Sequence, residues 1–121
     1  MNMTNDGITY SQRDIVLIPF PYTDLTASKL RPALIMSNKR LETTNDRICC
    51  LITSNPSQKG GILIERKDLF KGDLKYKSWV KPYRIFTVDI RIIKKRLGTI
   101  SISCFDRLLK EMYSYMNKEK E

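Results

Sequence analysis

No histidine occurs anywhere in the 121 residues. That removes the usual general base near neutral pH, and with it Ser-His-Asp and Cys-His catalysis within one chain. Acid–base chemistry would fall to Arg, Lys, Thr, Ser, Tyr, Asp or Glu. Cysteine is scarce, with Cys49, Cys50 and Cys104 alone. None stands in a CxxC spacing, and neighbours such as Cys49 and Cys50 on a strand point to opposite faces. A zinc site without histidine would have to draw on carboxylates, and these are not clustered. The expectation is no metal and no cofactor, with the three thiols as small core residues. No apolar run approaches the ~20 residues that span a bilayer. The opening Met1-Asn2-Met3-Thr4-Asn5-Asp6 has neither the basic nor the apolar region of a secretory signal, so a cytoplasmic protein with no membrane partner is expected. Repeats, low-complexity tracts and linkers are also lacking. One domain over 1–121 fits the length, and it can bury a core without disulfides or metal.

Acidic residues are the minority, 13 Asp and Glu against 22 Lys and Arg, for a formal charge of +9. The excess is uneven. Residues 66–96 carry eleven basic side chains against three acidic ones, interleaved with Tyr76, Trp79, Tyr83 and Phe86. Cations among aromatics suit a polyanion with bases to stack, which is single-stranded nucleic acid. A basic surface that only favours solubility would show the same counts. Trp79 and Tyr83 fit base stacking, or equally the core or a dimer interface. Lys94-Lys95-Arg96 fits a phosphate track or a solvated turn.

What is present reads as short strands divided by turns. Residues 1–11 form a loose arm. Residues 13–18 are a β-branched strand buried on both faces, ended by Pro19 and Pro21. Residues 19–30 form a polar loop, long for a hairpin and of a kind that often carries function. Strands follow at 31–37 and 47–53, separated by a polar turn region, and then comes a loop at 54–60 with strong turn chemistry. A short strand occupies 61–65. Residues 68–77 are basic, with a turn at Gly72-Asp73. Residues 79–88 are β-rich, and Pro82 marks an edge strand or a bulge. Residues 90–97 form a short helix or turn, and 98–102 a last strand. The chain closes with a helix over 103–116, in which Phe105, Leu108, Leu109, Met112 and Met116 share a face and Ser103 with Asp106 resembles a capping box. The fold class is mainly β with a C-terminal helix, a small bent antiparallel sheet or barrel.

Within this pattern Lys29-Leu30-Arg31-Pro32-Ala33-Leu34-Ile35-Met36-Ser37 passes from polar loop to buried strand through one Arg-Pro. Pro32 holds Arg31 extended, and a guanidinium stays charged and forks two oxygens of one phosphate. Two readings stand on this stretch alone: an anion-binding arginine, or an ordinary surface arginine at a strand start. If strands 31–37 and 47–53 pair antiparallel, Arg31 at the start of one faces Thr53 at the end of the other. The loops at 19–30 and 54–60 then emerge at the same rim.

Asp14-Ile15-Val16-Leu17-Ile18-Pro19-Phe20-Pro21-Tyr22-Thr23-Asp24, followed by the Arg-Pro strand, resembles the N-terminal signature of the PemK/MazF family of toxins. Leu51-Ile52-Thr53-Ser54 matches its second active-site strand. Ser78-Trp79-Val80-Lys81-Pro82-Tyr83-Arg84-Ile85-Phe86-Thr87-Val88-Asp89 and Leu97-Gly98-Thr99-Ile100-Ser101 are similar to later strands, so that the likeness covers roughly 12–116. It implies an SH3-like small barrel, usually a homodimer, and a type II toxin that cuts single-stranded RNA without a metal. The substrate's 2′-hydroxyl would attack the adjacent phosphate, leaving 2′,3′-cyclic phosphate and 5′-hydroxyl ends. Arg31 and Thr53 would be the catalytic pair, and a cognate acidic antitoxin the partner, with DNA binding by the two together. Thr23, Asp24, Ser28, Lys29, Ser54, Lys81 and Arg84 are candidates for contacting RNA. The loop 25–30 lacks the glycines and the glutamate found in several members, a departure that bears on which RNA sequence is recognised. A non-catalytic binder of nucleic acid, or a gyrase poison on the same fold, is the alternative, and it would not need the Arg31–Thr53 pair.

Overall fold

The computed structural model describes residues 7–21, 28–56 and 59–120. The strands within them are β1 (Asp14–Pro21), β2 (Ser28–Ile35), β3 (Asp46–Thr53), β4 (Ile62–Ile64), β5 (Leu69–Gly72), β6 (Ser78–Asp89) and β7 (Lys95–Ile100), and one helix follows, α1 (Ile102–Ser114). They form one antiparallel sheet in the order β4-β6-β3-β2-β1-β7-β5. It curls into the nearly closed barrel with a C-terminal helix expected for the chain.

The three central strands are apolar on both faces because both are covered. Ile15, Leu34, Cys50 and Ile52 join Ile100, Phe105 and Leu108 in one core, which α1 closes with Leu109 and Met112. Val16, Ile18, Ala33, Ile35, Cys49 and Val88 join Tyr10 and Ile90 in the other. Cys49 and Cys50 thus occupy opposite cores, as their adjacency requires.

Several boundaries differ from expectation. β1 continues through Pro19 and Pro21. β7 pairs with it only as far as Leu17↔Lys95, so among the described residues the prolines lie on an unpaired edge where no ladder N–H is missed. β2 begins three residues before Arg31, which shortens the loop. β5, read from sequence as a basic turn, is a short strand paired with β7. Its composition is too polar to announce it. Pro82 marks a bulge inside an interior strand: Cys50 pairs with Ile85 and Leu51 with Lys81, so residues 82–84 are looped out of register.

The helix cap is Ser101, whose hydroxyl accepts the Cys104 N–H at 3.2 Å, and not Ser103 with Asp106. Met116 lies past the last turn and is 59% exposed, off the apolar face. The arm is less loose than expected over its described part. Tyr10 is buried, and its carbonyl accepts the Nε–H of Arg47 at 2.9 Å. Arg47 is fully buried, and its Nη1 also donates to the carbonyls of Leu41, Thr44 and Asp46. Burial pulls this guanidinium's pKa down from its ordinary value, and Glu42 works against that shift.

Candidate active site

Arg31 lies in the first half of β2, paired with Ile18 of β1. On its other side the ladder runs Ile35↔Cys49, Leu34↔Cys50, Ala33↔Leu51. The β2–β3 ladder ends at Ala33↔Leu51; continued two steps, that register would bring Arg31 level with Thr53. Thr53 in turn pairs with Trp79 of β6, and Leu51 with Lys81. Residues paired directly across an antiparallel ladder project to the same face. Thr53 and Trp79 therefore share a face at the end of their ladder, with Ala33, Leu51 and Lys81 in the row behind.

Thr53 is buried at the end of β3, and its Oγ1 accepts the Asn55 N–H at 3.1 Å. An accepted bond leaves the hydroxyl hydrogen available for donation. That turn also fixes where the chain leaves β3. Lys81 is 4% exposed, with its ammonium 5.0 Å from the centre of the Tyr83 ring. Its charge is held beneath an aromatic face rather than displayed on the surface. The Tyr83 ring lies 5.4 Å from that of Tyr115, just past the end of α1, and its hydroxyl donates to the Lys59 carbonyl at 3.2 Å. Gly60 has φ +78°, and the space a Cβ would need is taken by Tyr83 Cε1 at 2.9 Å. The second half of the connection after Thr53 is thereby clamped to β6 and α1.

The other side of the same rim opens into a cavity of ≈ 360 Å³ at the mouth of the barrel. Leu17, Pro32 and Ile52 give it an apolar floor, and Lys29, Arg31, Ser54 and Lys95 stand around it. Ile52 and Ser54 line this cavity, so Thr53 between them faces the opposite side of β3. The structure thus sets Arg31, Lys29 and Ser54 around one cavity, with Thr53 on the other side of β3. Arg84 is exposed in the β6 bulge. Thr23 and Asp24 lie outside the described residues. So does the side chain of Ser28, which opens β2.

Sequence reasoning missed the far wall of the mouth, made by residues 73–76 and by Leu97. The signal was present in the Gly72-Asp73 turn followed by a tyrosine between lysines, but nothing local shows that this turn reaches the Arg31 end of the barrel. No group of three or more potential metal ligands exists among the described residues. None of their helices is long and apolar enough to cross a membrane.

This architecture is shared with solved structures. It is similar to an endoribonuclease from Mycobacterial species, with TM-score 0.71 at 12% identity over 94% of this chain and 97% of that one. It is similar to an endoribonuclease in complex with its cognate antitoxin, also from Mycobacterial species, with TM-score 0.71 at 13% identity over 93% and 98%. It is also similar to MazE-MazF from Deinococcus radiodurans, with TM-score 0.68 at 15% identity over 93% and 99%. The class is therefore a MazF-like barrel with one C-terminal helix. The sequence itself matches, over residues 11–114, the family described as the PemK-like, MazF-like toxin of type II toxin-antitoxin systems, and the chain belongs to that family. None of the curated proteins matches the sequence.

Proposed function

We propose that this chain is a metal-independent endoribonuclease that cuts single-stranded RNA, the toxin of an antitoxin-paired system. The observation that supports the reading is the antiparallel β2–β3 pairing, which, continued past Ala33↔Leu51, would bring Arg31 level with Thr53 at one end of the barrel. The nucleophile is the substrate's own 2′-hydroxyl. Its oxygen bonds to the adjacent phosphorus, the bond to the 5′-oxygen breaks, and that oxygen leaves as a hydroxyl, having gained a proton where the 2′-hydroxyl has lost one. Negative charge grows on the non-bridging oxygens. Arg31 stabilises it there with two parallel N–H bonds, and Thr53 adds a hydroxyl donor. Such a reaction asks for no histidine, no protein nucleophile and no cofactor. Lys29, Ser54 and Arg84, with Thr23, Asp24 and Ser28, are the proposed contacts to the strand; Lys81, expected from sequence to join them, is instead buried beneath Tyr83.

The partner follows from charge. A basic mouth is neutralised by an acidic, extended chain that competes with RNA for it, and two of the similar structures are complexes with an antitoxin. A homodimer is proposed on the family's pattern.

The test is incubation of the purified protein with mixed RNA in EDTA, followed by end-group analysis. Cleavage leaving cyclic phosphate and 5′-hydroxyl ends is expected. Arg31→Ala should lower the rate about 10²–10³-fold, with the circular dichroism spectrum unchanged. RNA left intact by the antitoxin-free wild type would overturn the nuclease reading in favour of a binder.

A further inference from the structure

The cavity at the mouth contains one feature that RNA affinity alone does not explain. Among the described residues Asp73 is the single carboxylate lining it, in the company of Lys29, Arg31, Lys75 and Lys95. A carboxylate there repels phosphate. It is not neutralised in any of the four ion pairs among the described residues, which join Lys67–Glu65, Arg91–Asp89, Arg96–Asp14 and Arg107–Asp68. Asp73 is also held in place. Its N–H donates to the Leu97 carbonyl at 3.3 Å, and its Oδ1 accepts the Leu74 N–H at 2.9 Å. The preceding Gly72 has φ +84° and lies so close to β7 that a Cβ would collide with Leu97 O and Gly98 Cα. Beside the carboxylate, Tyr76 is 65% exposed, with the Lys75 ammonium 5.5 Å from its ring centre. An aromatic plane, a fixed acceptor and an apolar floor make a base-sized slot. Its ≈ 360 Å³ is at the small end of ligand pockets, about 300–1,000 Å³.

We infer that this cavity seats one guanine base of the RNA strand, with Asp73 as its specificity-determining residue. This rests on the proposed nuclease reading for the strand's position: the phosphate lies at Arg31 and Thr53, and the attached nucleoside turns over the rim to the Ser54 side. Guanine is singled out by hydrogen-bond chemistry. Its N1–H and N2–H₂ lie side by side and point the same way, so one carboxylate accepts both. Adenine and cytosine offer one amino group next to a ring acceptor, and uracil one N–H between two carbonyls. A carboxylate has about four acceptor sites in all, so the bond from Leu74 leaves capacity for both guanine donors. Tyr76 stacks on the base, a contact every base makes, which leaves the choice of base to Asp73.

The experiment titrates the full chain separately with the 3′-monophosphates of guanosine, adenosine, cytidine and uridine, and with a poly-glutamate peptide. The amide signals of Leu74, Tyr76 and Leu97 are followed by NMR. The expected result is tightest binding of the guanosine nucleotide at these three amides. Asp73→Asn, an exposed and isosteric change, should weaken it about tenfold and leave the other three nucleotides as they were. Sequencing of the cut ends should then show that Asp73→Asn relaxes a guanine preference at one position beside the cut. Equal binding of all four nucleotides, or no effect of Asp73→Asn, overturns the inference while the cleavage assay still stands. Shifts with poly-glutamate and none with nucleotides make the cavity a peptide-docking site and also overturn it. Because the titration needs no cleavage, it judges the cavity even if the RNA stays uncut.

Discussion

At the scale of single residues, burial decides what each polar group is able to do. Arg47 and Arg31 sit on neighbouring strands, and their fates are opposite. Arg47 is enclosed and donates through Nε and Nη1 to four backbone carbonyls, so it is structural. Arg31 stands at the mouth of a cavity. The thiols show the same logic. Burial pushes Cys49 and Cys50 up to about 12, with the neighbouring Cys50 adding to the shift at Cys49. Burial also raises Cys104. The folded protein should therefore resist iodoacetamide at pH 8, and all three thiols should react in denaturant. Stability has a matching pH dependence. Between the unfolded value near 9 and the folded value near 12, the native state keeps protons that the unfolded chain has lost. The unfolding free energy must then fall as pH rises through that window. Urea midpoints measured from pH 8 to 11 should show this fall, and it should be smaller in a Cys49→Ala, Cys50→Ala variant.

At the scale of elements, legibility followed periodicity. β1, β2, β3 and α1 were visible because their apolar spacing is set by cores they must cover. Cys49 and Cys50 were placed on opposite faces from their adjacency alone. β5 was not visible. As an edge strand held by one neighbour, Leu69–Gly72 needs little apolar content. The antiparallel pairing of β2 with β3 could be anticipated because consecutive strands usually lie side by side. The 73–76 wall could not, because its place depends on the contact between β5 and β7. That contact is testable. Gly72→Ala places a methyl against the backbone of Leu97 and Gly98 at a positive φ. It should cost about 1–3 kcal/mol, seen as a lower urea midpoint at unchanged slope. Gly7→Ala is the comparison, since Gly7 also has positive φ but nothing within 4 Å of its Cβ position. It should cost only the left-handed backbone penalty, about 1–2 kcal/mol.

At the scale of the whole molecule, the charge of +9 acts on whatever polyanion approaches. If the mouth holds RNA, affinity must fall linearly on a log–log plot against salt, because each neutralised phosphate releases counterions. Removing a cation that touches phosphate should flatten the slope by about 0.7 for a single strand. Filter binding of Lys29→Gln across a salt series should show that change. Tyr76→Ala should lower affinity at every salt concentration and leave the slope as it was, because stacking releases no counterions.

The barrel mouth has a consequence for how such a chain diversifies. Its frame is carried by strands packed on both faces, where almost any change is felt in a core. Its far wall is a connection pinned by the Gly72 contact, by the Asp73 bond to Leu97 and by half-buried Leu74, with the side chains of Asp73, Lys75 and Tyr76 exposed. Substitutions at Asp73, Lys75 and Tyr76 therefore meet little resistance from folding, and each changes the lining of the mouth. Close relatives can share a barrel and still differ in their targets, because selection can redraw that wall one exposed residue at a time.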